Sequence, residues 1–305
     1  MKTIFPRFVP LPLWLCLLVL APLLFLQPAQ ARAAAPAEPL PVFVSILPQE
    51  YFVERIGGDR VRVQALVKPG QDPHTFAPTP QQMAQLAGAR IYFRIGVPFE
   101  NAMIPRLSRS IPDLRVIDLQ EGMDLLEAGE AHDDHHNHGD DLDPHTWLDP
   151  LLALRQAVLI RDTLISLDPE GARAYTANFA LLAADLQELD RTLRELLQPM
   201  AGRTIYVFHP AYGYFCRAYG LKQKAINPGG KQPGARQLAR LIEEAEADKV
   251  RFIFSQPQFS EKAAATIARS IGATVVTLDP LARDYLANMH SIAAQLAASL
   301  PENGQ

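Results

Sequence analysis

The sequence predicts an α/β protein of two parallel-sheet lobes joined by a single long, rigid α-helix, with a cleft between the lobes able to house a ligand. Three observations predict it. Short β-type runs alternate with helical stretches up to about residue 120, and the same alternation returns after residue 203, the pattern of βαβ units. Between these regions a helical pattern of nearly thirty residues runs from Pro169 to Leu197. A length of 305 residues with 48% hydrophobic and 20% charged side chains suits two globular cores, not a disordered chain or a multi-span membrane protein.

The first segment stands outside that fold. Met1-Lys2 and Arg7 give a short basic start, an apolar run extends from Phe8 to Leu26, and Ala29-Gln30-Ala31-Arg32-Ala33 supplies small residues at Ala-x-Ala spacing. This is the make-up of a secretory signal peptide over residues 1–33, cleaved after Ala31 or Ala33 and directing the chain to the periplasm. The 19-residue run approaches membrane-spanning length, so an uncleaved anchor is the alternative. Pro10, Pro12 and Pro22 inside the run favour cleavage, and Cys16 has no small residues leading into it that would make it a lipid-attachment site. Residues 34–41, rich in Ala and Pro, read as a flexible leader.

The first lobe is expected over residues 34–168. Its strands are predicted at 42–46, 61–67, 91–93 and near 115–118, with helices near 48–57 and 79–87. The alternation pauses at 121–150 and then turns helical from Pro150 to Leu167. The linking helix, 169–199, carries Tyr175, Phe179, Leu182, Leu186, Leu189, Leu193 and Leu196 at three- and four-residue spacing. Pro169 suits a first helical turn and Pro199 to Gly202 ends the pattern, so the helix should span about 45 Å as a stiff strut between lobes. The second lobe, 200–305, repeats the plan: strands at 204–208, 222–226, 250–254 and 274–278, with helices at 211–219, 234–247, 259–271 and 284–299.

Charge and cysteine content narrow the function classes. The full chain has 29 basic and 33 acidic side chains, a formal charge of −4. Losing Lys2 and Arg7, and Arg32 with the later cleavage, leaves 27 or 26 basic against 33 acidic residues, so the exported chain carries −6 or −7. No basic excess exists to neutralise phosphates, which excludes a nucleic-acid partner. Cleavage also removes Cys16, leaving Cys216 alone beside Phe215; without a disulfide partner it reads as a small buried apolar residue.

The histidines carry the chemistry. His209 directly follows a predicted strand, Asp279 directly follows another, and His74 comes after a third within Lys68-Pro69-Gly70-Gln71-Asp72-Pro73-His74. His145 opens a helix within Asp143-Pro144-His145-Thr146-Trp147-Leu148-Asp149-Pro150. Ligands bind at the carboxyl ends of strands in parallel α/β sheets, so two facing lobes would bring His74 and His145 against His209 and Asp279. Three imidazoles and one carboxylate complete a tetrahedral set for Zn²⁺ and can also serve Mn²⁺ or Fe²⁺. Any one histidine alone reads equally well as a hydrogen-bonded interior or surface residue; the joint placement makes the metal reading.

A second signal lies in residues 130–143. Four of the eight histidines, His132, His135, His136 and His138, stand there among six acidic residues with no apolar run to bury them. The composition is that of a metal-attracting loop, suited to capture, a weaker second site or sensing; a merely solvated polar loop is its plain alternative. His290, on the last helix, reads as a bystander. The sequence contains no phosphate-binding glycine loop, Cys-x-x-Cys pair, Gly-x-Ser-x-Gly elbow or His-Glu-x-x-His helix.

These residues resemble the ZnuA/TroA-type solute-binding proteins of ABC importers for zinc and manganese. The resemblance rests on Ser45-Ile46-Leu47-Pro48, Ile56-Gly57-Gly58-Asp59, Pro69 through Pro80, Asp143 through Pro150, Phe208-His209, Tyr214-Phe215 with Tyr219-Gly220-Leu221, and Leu278-Asp279-Pro280-Leu281. It implies metal held between the lobes by His74, His145, His209 and Asp279, and delivery to an ABC permease transmembrane subunit with its ATPase, by a monomer that is not an enzyme. The His-rich loop resembles the zinc-importing branch. Pro210-Ala211-Tyr212 stands where the family commonly has Asp-Ala-Phe, Gly230-Lys231-Gln232-Pro233 where Glu-Pro-Ser is usual, and Gln256 where Glu is expected. The rival readings are a manganese or iron carrier, a secreted zinc hydrolase using three histidines and bound water, and an adhesin that keeps the fold.

Overall fold

Each half of the chain builds a four-stranded, all-parallel sheet with the same strand order. The computed structural model describes residues 38–127, 142–226, 235–248 and 250–300. The segment read as a signal peptide, residues 34–37 of the leader, and all four histidines of the 130–143 tract lie outside the described residues. The flexible leader expected to reach residue 41 ends earlier, because Leu40 and Pro41 already belong to the first strand, in parallel register with Val61 and Arg62. No helix among the described residues is long and apolar enough to cross a membrane.

The first lobe runs β1 (Leu40–Val44), α1 (Leu47–Gly57), β2 (Val61–Ala65), α2 (Pro80–Leu86), β3 (Ile91–Arg94), α3 (Phe99–Ser110) and β4 (Arg115–Asp118). Its sheet order is β2-β1-β3-β4. The two central strands are covered on both faces, so Val42, Phe43 and Val44 and then Ile91, Tyr92 and Phe93 are consecutive buried residues, whereas edge strand β2 alternates. A capping box starts α2: Gln82 N–H donates to Thr79 Oγ1 and Thr79 N–H to Gln82 Oε1. Helix α3 was not expected from the sequence. It holds Pro105 in its interior and several polar residues, which break the helical pattern, yet Phe99, Met103 and Leu107 still make one buried stripe.

Helix α4 (Pro150–Leu167) is capped by Asp149, which accepts from Leu151 N–H at 2.8 Å. The long helix differs from expectation at its start: Pro169–Gly171 forms a 3₁₀ turn and α5 runs Ala172–Leu197. Its 26 residues span about 39 Å. It is also more than a strut. Its buried stripe of Tyr175, Leu182, Leu186, Leu189, Leu193 and Leu197 packs on α1 and α4 on one side and on the last helix on the other.

The second lobe runs β5 (Thr204–Val207), α6 (Gly213–Tyr219), β6 (Lys222–Ala225), α7 (Ala235–Ala247), β7 (Phe252–Ser255), α8 (Glu261–Ser270), β8 (Thr274–Thr277) and α9 (Tyr285–Ala298), with sheet order β6-β5-β7-β8. Gly220, at φ 70°, ends α6 in the left-handed conformation that a side chain would resist. One apolar core extends from the first lobe through α4 and α5 into α6 and α9, and a smaller cluster of Phe208, Ile226, Ile253, Ala264, Ile267 and Ala268 lies under α8. Cys216 is buried in the larger core, where desolvation pushes its thiol up, in keeping with a packing role.

Hydrogen bonds tie the lobes across the cleft. Trp147 Nε1–H donates to Pro280 O at 2.8 Å, and Tyr285 OH to Trp147 O at 2.7 Å. Tyr214 OH donates to Asp143 O at 2.8 Å and accepts from Leu126 N–H at 2.9 Å. Arg283, before α9, pairs with Glu50 at 3.0 Å and with Glu54, both on α1.

Candidate metal centre

Three loops, each leaving a different part of the fold, deliver His74, His145 and His209 to one point. Beyond β2 the chain stays beside β1, with Leu66 N–H on Val44 O and Val67 N–H on Ser45 O, before turning through residues 68–72. There Asp72 accepts from His74 N–H at 2.9 Å and from Thr75 Oγ1 at 3.2 Å, an Asx turn that aims His74 across the cleft. The same tripeptide recurs at the second position. Asp143 Oδ1 accepts from His145 N–H at 2.9 Å and lies 2.6 Å from His145 Nδ1. His209 follows β5, whose continuation is fixed by Phe208 N–H on Phe254 O at 2.7 Å.

The imidazole centroids are 4.6 Å apart for His74 and His209, 5.5 Å for His74 and His145, and 5.4 Å for His145 and His209. One ring nitrogen from each lies within 4.8 Å of the other two. A tetrahedral Zn²⁺ with bonds of about 2.05 Å holds its nitrogens roughly 3.3 Å apart, so small ring movements close this set on an ion. Trp147 stands 5.2 Å from His145 and Phe259 is stacked on His209 at 5.0 Å, walling the cluster with apolar surface.

Burial makes His74 and His209 reluctant to charge. His209 is lowered to about 2, first by desolvation and then by the neighbouring His145 and His74. His74 is lowered to about 4 by desolvation and by His145, against the opposing charges of Asp72 and Asp143. The onset of proton competition expected from the ordinary histidine value near 6.5 therefore moves down for both groups. At neutral pH they present free lone pairs, the form a metal requires. His209 is 8% exposed, and neither its Nδ1 nor its Nε2 has a hydrogen-bond partner within the protein. A buried imidazole with both nitrogens unpaired is costly, and a cation on one of them offsets that cost.

Asp279 stands apart from the three-histidine cluster among the described residues. Its Oδ1 accepts from Gln258 Nε2–H at 2.9 Å and from Leu281 N–H at 3.0 Å, which leaves Oδ2 as the oxygen able to turn to an ion. Its charge contributes to raising the Tyr212 hydroxyl, after burial as the main cause. His290 is exposed on α9, away from the cluster. His132, His135, His136, His138 and Lys231 lie outside the described residues. The chain enters and leaves the 128–141 segment at adjoining points, since Glu127 pairs with Leu142 and Asp143 N–H donates to Leu126 O at 2.8 Å. Leu142, at that junction, is three residues from His145.

Sequence reasoning did not single out Asp143, Gln258 or Phe259. For Asp143 a signal existed: Asp-Pro-His occurs at both 72–74 and 143–145, and in both the aspartate accepts from the histidine's own N–H. Gly213 belongs with it, because a Cβ there would meet Asp143 Oδ2 at 2.7 Å.

A family model, ZnuA, described as the periplasmic component A of a zinc-uptake complex, matches residues 42–299. The high-affinity zinc uptake system protein ZnuA of Bacillus subtilis is 28% identical over 264 residues, covering 83% of this chain and 82% of that protein. A crystal structure of ZnuA is similar with a TM-score of 0.79 at 40% identity, covering 85% of this chain and 98% of that one. A zinc-bound ZnuA deletion mutant gives a TM-score of 0.80 at 39% identity, over 87% and 100% of the two chains.

Proposed function

The chain belongs to the ZnuA family of periplasmic zinc-uptake components, and from that premise we propose that it carries one Zn²⁺ on His74, His145 and His209, with Asp279 Oδ2 as fourth ligand. Members of the family are metal-binding transport components, not enzymes, and work with an ABC permease and its ATPase. In this reading the monomeric chain loads zinc in the periplasm, after removal of residues 1–33, and hands it to the permease subunit.

The observation that carries the ligand assignment is the convergence of three imidazoles from separate loops, one of them buried with both nitrogens unpartnered. Nitrogen ligands favour zinc over manganese, which prefers oxygen, and Fe²⁺ falls between. Asp143 holds its proton-bearing partner Nδ1 and so turns His145 Nε2 inward, while the depressed His74 and His209 need shed no proton at neutral pH to bind. A hydrolase would need an open coordination position, which Asp279 would close by turning Oδ2 to the ion.

Release follows from the same contacts. The shared core and the Trp147, Tyr214 and Tyr285 hydrogen bonds resist wide opening of the lobes. Local movement of the 68–76 loop, which carries the least buried of the three histidines, is the economical route out. The tract with His132, His135, His136 and His138 serves as a capture segment that raises local zinc near His145. Elemental analysis of protein expressed in mixed metals tests the reading: about one zinc per chain, with little manganese or iron, supports it, and manganese or iron in place of zinc overturns it.

A further inference from the structure

His145 has a carboxylate on its ring, but His209 has none, and something else must hold it in place. The segment leaving β7 supplies three contacts. Gln256, 1% exposed, accepts from His209 N–H through Oε1 at 3.3 Å and donates from Nε2 to His209 O at 2.8 Å. Phe259 lies against the imidazole at 5.0 Å with an interplanar angle of 29°. Between them, Gln258 holds Oδ1 of Asp279.

We propose that Gln256 and Phe259 are positioning residues for His209, fixing its main chain by a two-point amide pairing and its ring by stacking, so that a ring nitrogen stays free to meet the ion. This rests on the zinc-site reading above. The pairing needs a donor and an acceptor on one planar group. A carboxylate at 256 can accept from the N–H but cannot donate to the carbonyl, and would set negative charge against that oxygen at 2.8 Å. Gln256, where the related sequences were expected to carry Glu, therefore makes the hold independent of a bound proton. Stacking fills the role that a hydrogen bond plays at His145, without consuming either nitrogen of His209.

The test uses Q256E, F259L and H209A, with I253V in β7 as a control for general loss of stability. Zinc affinity is measured by competition with a chelator, and Co²⁺ loaded in place of zinc reports coordination geometry through its visible absorption. Q256E and F259L are expected to weaken zinc about 10-fold and to change the cobalt spectrum, while I253V leaves the spectrum unchanged. Wild-type affinity and spectrum in both Q256E and F259L overturn the proposal. If Q256E fails to fold, F259L alone decides. Loss of zinc in H209A with no effect in the other two rejects only the positioning role; wild-type binding by H209A rejects the site itself.

Discussion

Asp143 Oδ1 lies 2.6 Å from His145 Nδ1 and also receives the His145 backbone N–H. One carboxylate oxygen thus fixes both the main chain and the ring of a candidate ligand, placing the proton on Nδ1 and the lone pair on Nε2. Such partners typically contribute 10- to 100-fold to metal affinity. Asp143→Ala should weaken zinc binding by about that factor while leaving one site per chain, as read by chelator competition.

Gly213 lets the start of α6 approach that carboxylate. A Cβ at 213 would lie 2.7 Å from Asp143 Oδ2 and 3.3 Å from Leu126 Cδ1. Gly213→Ala should displace Asp143 and reduce zinc affinity in the same direction as Asp143→Ala. The double variant should be little worse than Asp143→Ala, since both act on one contact.

Tyr214 joins the lobes through its hydroxyl, donating to Asp143 O and accepting from Leu126 N–H. Tyr214→Phe removes both bonds and keeps the ring. The loss should be about 1 to 3 kcal/mol of unfolding free energy in urea, with a smaller effect on zinc affinity than Asp143→Ala.

The depressed histidines set a pH dependence whose sign is determined. Both hold folded-state values below 6.5, about 4 for His74 and about 2 for His209, so the unfolded chain binds more protons in the interval between. Metal-free stability should be full above pH 6.5 and fall as pH drops toward 4, continuing toward 2. Thermal melts of metal-free protein from pH 7.5 to 4.5 check this. His74 and His209 should offer zinc no proton competition at pH 5.5, because both remain uncharged there.

The fold was legible where local pattern and tertiary packing agree. The doubled βαβ alternation, the Leu-rich stripe of α5 and the placing of His209 and Asp279 just past strand ends could all be read from the residues. Helix α3 could not, since Pro105 and the polar residues around it hide a stripe that only packing rescues. The start of α5 was blurred because Pro169 suits a 3₁₀ turn as well as an α-helical one. At the site, residue type pointed to the three histidines, but Gln256 and Phe259 act through the backbone and a ring face. Those roles leave no mark in spacing. The depth of burial that lowers His74 and His209 depends on both lobes at once, so the ordinary histidine value misjudged them.

Calorimetric titration of the metal-stripped chain with zinc, comparing wild type with His74→Ala, His145→Ala and His209→Ala, tests the central claim most directly. One tight zinc per wild-type chain and a loss of at least about 100-fold in each variant is the predicted result, each removing one of three nitrogen ligands. Wild-type affinity in any two of the three would contradict it.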